Sequence, residues 1–167
     1  MHHRFTSHVM FNRRYFQSHN GLVEFLKMCP QQELFMSGSG EDHSFRLWDV
    51  RSDRCQGYMN MAPPNARPDE PIPTRSFVAS FDPTGLAFAL GTESQIIKLY
   101  DLRTFDKGPF SSFSFESESD GSEWHDLKFS PDGRKIMIST SSKVNMLERM
   151  PLKRRGTRVF FCVLAAF

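Results

Sequence analysis

The sequence predicts an all-β fold made of repeated units of four short antiparallel strands. Three twelve-residue segments align without gaps, each with a proline at its third position: Met28–Ser39, Phe81–Thr92 and Phe129–Thr140. A second pattern occurs twice, in the second half of the first two units. In it, apolar and polar residues alternate, and the run ends in an aromatic residue followed by Asp and one apolar residue. Alternation with a period of two is typical of half-buried strands, and self-similarity at a fixed period is typical of repeat folds.

The first two strands of each unit are predicted on either side of the proline. The prolines are Pro30, Pro83 and Pro131, which stand 53 and 48 residues apart. Proline fixes φ and cannot donate to a ladder, so it suits the point where the first strand leaves its sheet and turns. We predict first strands in LVEFLKM, RSFVASF and WHDLKF. The second strands are the small and apolar residues that follow each turn and end in Ser or Thr.

The third and fourth strands come from the second half of the unit. His43–Val50 (HSFRLWDV) matches Gln95–Leu102 (QIIKLYDL), since both end in an aromatic residue, Asp and one apolar residue, and an Arg follows. The stretches CQGYMNM and PFSSFSF come next and predict a fourth strand. Two other stretches, the proline-rich residues 62–74 and the acidic residues 116–123, predict irregular solvated loops.

Composition narrows the class of protein. A chain of 167 residues fits one domain, and a net charge of +2 gives no global basic field for nucleic acid or an anionic membrane. The three cysteines lie far apart without a Cys-x-x-Cys pair, which favours reduced thiols in an intracellular protein. The first ten residues lack the apolar run of a signal peptide, and the apolar last ten are too short for a membrane-spanning helix. We expect no cofactor and no metal.

Four strands per unit, a period of about forty to fifty residues and Trp-Asp at the end of a third strand resemble the WD40 family of β-propellers. The resemblance implies a partial propeller of about three four-stranded blades whose ring is not closed. The predicted segments are a partial propeller at 1–147, with repeats at about 19–61, 75–115 and 123–147, a strand of a preceding blade at 10–16, a proline-rich loop at 62–74, and a tail at 148–167 that matches nothing in the family.

In this family a buried network joins a His before the first strand, a Ser or Thr on the second, an Asp in the next turn and the Trp. By resemblance, the first unit supplies His19, Ser37, Asp42 and Trp48. Asp42 is expected to accept a hydrogen bond from His19, which links in turn to Ser37 and the Trp48 indole. Such networks satisfy buried polar groups and rigidify a blade. We therefore expect His19 and Asp42 to be structural, not a catalytic dyad, and the chain not to be an enzyme.

A narrower resemblance lies in Ile97–Phe110 (IKLYDLRTFDKGPF), whose FDKGPF run is not required by a blade core. It is similar to the WD-repeat subfamily that forms the nuclear subunit of the COMPASS-type histone methyltransferase complex. The resemblance implies a nuclear scaffold that links the methyltransferase to the phosphorylated tail of transcribing RNA polymerase II on chromatin. It also implies membership of a protein-phosphatase-1 complex.

Partner contacts are expected from residues at strand ends and in the FDKGPF run. These residues are Asp49, Arg51, Asp101, Arg103, Asp106 and Lys107. Recognition of a phosphopeptide requires Arg or Lys gathered on one face. The candidates for that role are Arg46, Lys98 and Lys107.

Two other functions stay open. WDVR (Trp48–Arg51) resembles the Trp-Asp-x-Arg box of substrate receptors that dock on the adaptor of cullin-RING ubiquitin ligases, and YDLR (Tyr100–Arg103) is a near match. The other alternative is a truncated fragment without the family's activity, because Glu148 and Arg149 stand where the third unit should carry the aromatic residue and Asp. An arc of three blades also leaves apolar sheet faces uncovered, so we expect the chain alone to be oligomeric, aggregation-prone or dependent on a partner.

Overall fold

The computed structural model describes most of the chain, namely residues 14–52, 54–62, 77–92, 96–114, 124–141, 144–149 and 160–165. The strands in these ranges belong to three four-stranded antiparallel sheets, and the ranges contain almost no helix. Within them the sheets do not join into a closed ring. The predicted all-β class, with three blades in an open arrangement, is confirmed.

Each sheet is a meander in which every strand pairs with the next one along the chain. The first sheet consists of β1 (Phe25–Met28), β2 (Leu34–Ser39), β3 (Ser44–Asp49) and β4 (Cys55–Asn60). The second consists of β5 (Phe77–Phe81), β6 (Ala87–Thr92), β7 (Ile96–Asp101) and β8 (Ser111–Ser114), with a 3₁₀ turn at Phe105–Lys107 before β8. The third consists of β9 (Trp124–Phe129), β10 (Lys135–Thr140), β11 (Val144–Arg149) and β12 (Phe160–Ala165).

The same proline turn joins the first two strands of every sheet. The N–H before the proline donates to the carbonyl five residues further on, in the pairs Cys29–Leu34 (2.8 Å), Asp82–Ala87 (3.0 Å) and Ser130–Lys135 (2.9 Å). The second and third turns contain Gly85 at a φ of 66° and Gly133 at 68°, a conformation that glycine adopts without steric cost. The equivalent position in the first turn is Gln32, whose side chain instead donates to the Gly85 carbonyl of the next sheet at 3.0 Å.

The second sheet lies between the other two and contributes to two apolar cores. Its core with the first sheet contains Cys29, Met36, Phe45, Leu47, Phe77, Ala79, Phe81, Phe88, Leu90, Tyr100 and Leu102. Its core with the third sheet contains Val78, Ala89, Ile97, Leu99, Trp124, Leu127, Ile136, Ile138 and Leu147. Neighbouring residues of β5 and β6 fall in different cores, because successive side chains of a strand point to opposite faces.

Two segments near the start of the described chain differ from the predicted strands. The first strand is predicted over 22–28 and begins at Phe25, and the Leu22 N–H donates to the Glu41 carboxylate at 2.9 Å instead of to the ladder. Residues 14–16, the described part of the strand predicted at 10–16, form no strand. The Phe16 ring packs edge-on against Trp48, with 5.6 Å between ring centroids.

Strand β12 completes the third sheet. Strand β12, which lies in the predicted tail 148–167, pairs antiparallel with β11 from Val144↔Ala165 to Arg149↔Phe160. The predicted loops lie outside the described residues, except for Ala62. In the part of the chain that the structure describes, no helix is long and apolar enough to cross a membrane.

Candidate functional site

A buried polar network brings together the four residues of the first unit that were predicted from the family resemblance. His19 lies in the segment before β1, Ser37 on β2, Asp42 in the turn after β2, and Trp48 on β3. His19 Nδ1 lies 2.9 Å from Asp42 Oδ2, and His19 Nε2 lies 2.8 Å from Ser37 Oγ. Trp48 Nε1 donates to the same Ser37 Oγ at 2.8 Å. Three segments far apart in sequence are therefore tied to one another at one face of the first sheet.

The direction of each hydrogen bond follows from the donor and acceptor groups of Trp48 and Asp42, the two residues at the ends of the network. The indole N–H of Trp48 can only donate and the Asp42 carboxylate can only accept. His19 Nδ1–H therefore donates to Asp42, which leaves His19 Nε2 to accept the hydroxyl proton of Ser37, while Ser37 Oγ accepts from Trp48. Ser37 and His19 then each donate one hydrogen bond and accept another, between the Trp48 donor at one end and the Asp42 acceptor at the other. This continuous chain suits support of the blade.

The environment of Asp42 favours the ionised carboxylate. Burial of the carboxyl raises its pKa, but hydrogen bonds from Ser44, His19 and the Asn20 N–H outweigh that effect, and the pKa falls to about 2. The Ser44 hydroxyl donates to Asp42 Oδ1 at 2.6 Å, and the Asn20 N–H donates to Oδ2 at 3.0 Å. The side chains of His19 and Asp42 are only 7% and 10% exposed, so solvent screens the pair weakly.

Stability should therefore fall in acid through Asp42. Its pKa is lower in the folded state, about 2, than the usual value of about 3.9 in an unfolded chain. The unfolded state then binds the proton first, so this contribution is present above about pH 4 and is lost as the pH falls toward 2, by about 2 kcal/mol. Urea unfolding between pH 5 and 2 should show this loss in the wild-type chain and a smaller one in Asp42→Asn. Equal pH slopes in both chains would contradict the assignment.

Sequence reasoning missed Ser44, a member of the network, and Phe16, which packs against it. Ser44 gives Asp42 both its hydroxyl proton at 2.6 Å and its backbone N–H at 3.0 Å. An Asp followed two residues later by Ser is a common local hydrogen-bonding pattern, so the spacing could have revealed it. Phe16 covers the Trp48 ring and also contacts Phe35, with centroids 4.8 Å apart. Only the folded chain brings Phe16 to that place.

The end of β3 carries the WDVR residues. Asp49 Oδ1 accepts the Arg51 N–H at 2.8 Å, which closes a tight turn after the strand. The Arg51 side chain is 76% exposed and forms an ion pair with Glu33 from the turn between β1 and β2. That neighbour raises the pKa of Arg51 above its ordinary value. Arg51 is thus accessible to a partner but already has a carboxylate partner within the sheet.

The equivalent end of β7 carries Asp101 and Arg103. Asp101 Oδ1 accepts the Arg103 N–H at 2.9 Å, which lowers the pKa of the Asp101 carboxyl. The Arg103 side chain is 75% exposed and lies 3.5 Å from the same carboxylate. The two Asp-x-Arg turns therefore have the same local geometry in adjacent sheets.

The FDKGPF run forms the connection from β7 to β8. Phe105 is partly buried against the core between the first two sheets, and a Cβ on Gly57 of β4 would overlap its ring. Asp106 and Lys107 are exposed, and Gly108 turns the chain with a φ of 98°. The run thus anchors one aromatic ring on the neighbouring sheet and presents two opposite charges to solvent.

The three cationic candidates for phosphopeptide recognition lie on different parts of the fold. Arg46 of β3 donates to Ser18 Oγ at 2.6 Å and stacks over the Tyr58 ring at 5.0 Å. Lys98 lies on β7 of the second sheet and Lys107 in the 3₁₀ turn. Arg46 and Lys98 are the third residues of equivalent strands in adjacent sheets, and the buried Arg46 Nε has no hydrogen-bond partner among the described residues.

The described residues contain no group of three or more His, Cys, Asp or Glu side chains that could hold a metal ion. Cys29 is buried and Cys55 half-buried, and both are free thiols. The Cys55 Sγ–H donates to the Gly57 carbonyl at 3.1 Å. Cys29 lies in the core between the first two sheets, where its Sγ is 3.8 Å from the Gly85 carbonyl oxygen.

Curated relatives match about four-fifths of the chain, whereas no protein-family model matches it. The chain is 46% identical over 131 residues to WD repeat-containing protein 82 of Drosophila melanogaster. It is 34% identical over 137 residues to Set1 complex component swd2 of Schizosaccharomyces pombe, and 35% identical over 129 residues to COMPASS component SWD2 of Saccharomyces cerevisiae. These alignments cover 78%, 80% and 77% of this chain but 37%, 35% and 35% of the relatives. The chain thus spans about a third of the length of the relatives it matches.

Proposed function

The chain belongs to the WD-repeat family of β-propeller proteins, and on this premise we propose that it is a non-enzymatic scaffold of a histone methyltransferase complex. The observation that carries the proposal is its similarity to two relatives whose names place them in the Set1 complex and in COMPASS. Because those relatives are longer, the proposal concerns the part of a scaffold surface that three sheets can supply. Partners are then subunits of such a complex.

The finer proposal places the scaffold in the nucleus, on chromatin, where it links the methyltransferase to the phosphorylated tail of RNA polymerase II. A protein-phosphatase-1 complex is a further proposed partner. Support comes from the FDKGPF run, which resembles that subfamily and exposes Asp106 and Lys107. A single exposed lysine favours one contact to an acidic group more than an extended phosphopeptide groove.

The structure suggests how such a surface could bind with little loss of conformational entropy. The buried network holds the first sheet, and Phe105 holds the connection that carries Asp106 and Lys107. Exposed groups on a rigid connection lose less freedom on binding than the same groups on a free loop. The scaffold role therefore depends on packing beneath the contact surface as well as on the contact residues.

Co-precipitation tests the scaffold role. The tagged full chain is expected to capture the catalytic subunit of a Set1-type methyltransferase from nuclear extract. A Lys107→Glu variant should capture several-fold less, because a charge reversal at a rim contact typically slows association and repels the partner. Arg134→Glu, which makes the same charge change at an exposed turn of the third sheet, serves as the matched control. Soluble wild-type chain that captures no methyltransferase would overturn the proposal and favour a fragment without the family's activity.

A second candidate function is a substrate receptor of a cullin-RING ubiquitin ligase. The observation that favours it is the repeated Asp-x-Arg turn, which leaves Arg51 and Arg103 at 76% and 75% exposure. Docking through Arg51 would exchange its Glu33 partner for a carboxylate of the adaptor. Arg51→Glu should then abolish capture of the adaptor and retain capture of the methyltransferase. Unchanged adaptor capture would remove this function from consideration.

A further inference from the structure

The first strands of the three sheets together line a groove of about 480 Å³. Its walls contain residues of β1, β5 and β9, among them Phe25, Lys27, Phe77, Trp124 and Asp126. Strand β5 supplies the middle part of the lining, because the first sheet packs against the second sheet and the second against the third.

One ion pair crosses the groove and bypasses the second sheet. Lys27 Nζ of β1 lies 2.7 Å from Asp126 Oδ1 of β9, although the two residues are 99 positions apart in the chain. Their side chains are 30% and 31% exposed, so solvent reaches the pair only in part. A charge-assisted hydrogen bond of this length requires the ammonium and the carboxylate to hold one position.

We propose that Lys27 and Asp126 form a brace that sets the angle between the first and third sheets and thereby the width of the groove. Apolar burial is non-directional, so the two cores constrain the angle between neighbouring sheets less than a polar contact of fixed geometry does. Closure of a complete ring removes that freedom in a propeller. Here the described sheets form no closed ring, and a short polar contact between the outer two sheets limits how far they spread.

Asp126 has a second cationic neighbour that provides a matched control. Lys128 Nζ lies 3.0 Å from Asp126 Oδ2, but Lys128 is on β9 itself. Both lysines lower the pKa of the Asp126 carboxyl, yet only Lys27 belongs to another sheet. Loss of Lys128 removes a positive charge of the same kind without removing a connection between sheets.

The brace can be tested by measuring the distance between the outer sheets. Spin labels on ketone-bearing amino acids at Gln56 and Arg134, both exposed, leave the native cysteines unchanged. Pulsed electron paramagnetic resonance then reports the distance distribution between the first and third sheets in the full chain. Lys27→Met and Asp126→Asn are each expected to broaden the distribution and shift it to longer distance. The double variant should be no broader than either single variant, because one contact is lost in all three.

Two control variants and one measurement at high salt distinguish the brace from a general effect of charge. Lys128→Met should leave the distribution as in the wild type, and Lys27→Arg should retain it, since arginine can also reach the carboxylate. If Lys27→Met does not fold, the wild-type chain in about 1 M salt should show a partial broadening, because screening weakens a partly exposed pair. The brace is rejected if the distribution stays unchanged in Lys27→Met and in high salt, or if Lys128→Met broadens it as much as Lys27→Met does.

Discussion

Asp42→Ala is expected to lower the free energy of unfolding of the chain by about 3 kcal/mol. The substitution removes the acceptor for His19, for the Asn20 N–H and for both donors of Ser44. The His19 side chain is only 7% exposed, so water replaces the lost partner poorly. Desolvated donors without an acceptor cost about 1–3 kcal/mol each, and repacking recovers part of that loss.

Chemical denaturation monitored by the fluorescence of Trp48 and Trp124 measures this effect. Asp42→Asn keeps the size of the side chain but turns an amide N–H toward a donor, so it should destabilise the chain by at least half as much. Asp106→Asn makes the same change at an exposed carboxylate and should alter stability by less than about 0.5 kcal/mol. If Asp42→Ala were as mild as Asp106→Asn, the network would not support the blade.

Phe88→Ala is expected to lower the free energy of unfolding by about 4 kcal/mol, a larger loss than that expected for Asp42→Ala. Phe88 is fully buried, and its ring stacks between Phe45 of the first sheet and Tyr100 of its own sheet, with both centroids 5.1 Å away. Truncation removes apolar surface and leaves a cavity between two sheets, which the twisted backbones cannot close. The two sheets should therefore lose much of their mutual attachment.

Limited proteolysis and urea unfolding can detect that loss. Phe110→Ala is the matched control, because Phe110 follows the same sheet's 3₁₀ turn but is 49% exposed. We expect Phe110→Ala to cost less than about 1 kcal/mol and to leave the cleavage pattern unchanged. Equal costs for the two variants would mean that the core between the first and second sheets contributes little to the fold.

Much of the fold could be predicted because it depends on local chemistry. The proline at each first turn, the period-two alternation and the repeated aromatic-Asp ends predict four strands per unit, and the structure confirms three such sheets. Elements were missed where a distant group competes with the ladder. Leu22 donates to Glu41 and stays outside β1. Strand β12 was missed for another reason, because residues 160–165 show no repeat pattern in the sequence and yet pair with β11.

The candidate site also contains residues that the sequence predicts and residues that only the fold brings into contact. Resemblance selected His19, Ser37, Asp42 and Trp48 by their places in the repeat, and the geometry brings these four together. Phe16 covers Trp48, and Phe105 packs against Gly57. No spacing in the sequence predicts these contacts. Such contacts depend on how one sheet or segment lies on another, which side-chain periodicity does not encode.

Strand, turn and repeat signals act over a few residues and recur, so they predict WD-type four-stranded units without knowledge of the fold. How the units meet depends on the folded chain: which rings stack in each core, that Arg51 is paired with Glu33, and that Lys27 reaches Asp126 across the groove. The reason is physical. Hydrophobic burial depends on the amount of surface removed from water and not on direction, so the partners of a buried face are chosen by the packing of whole sheets.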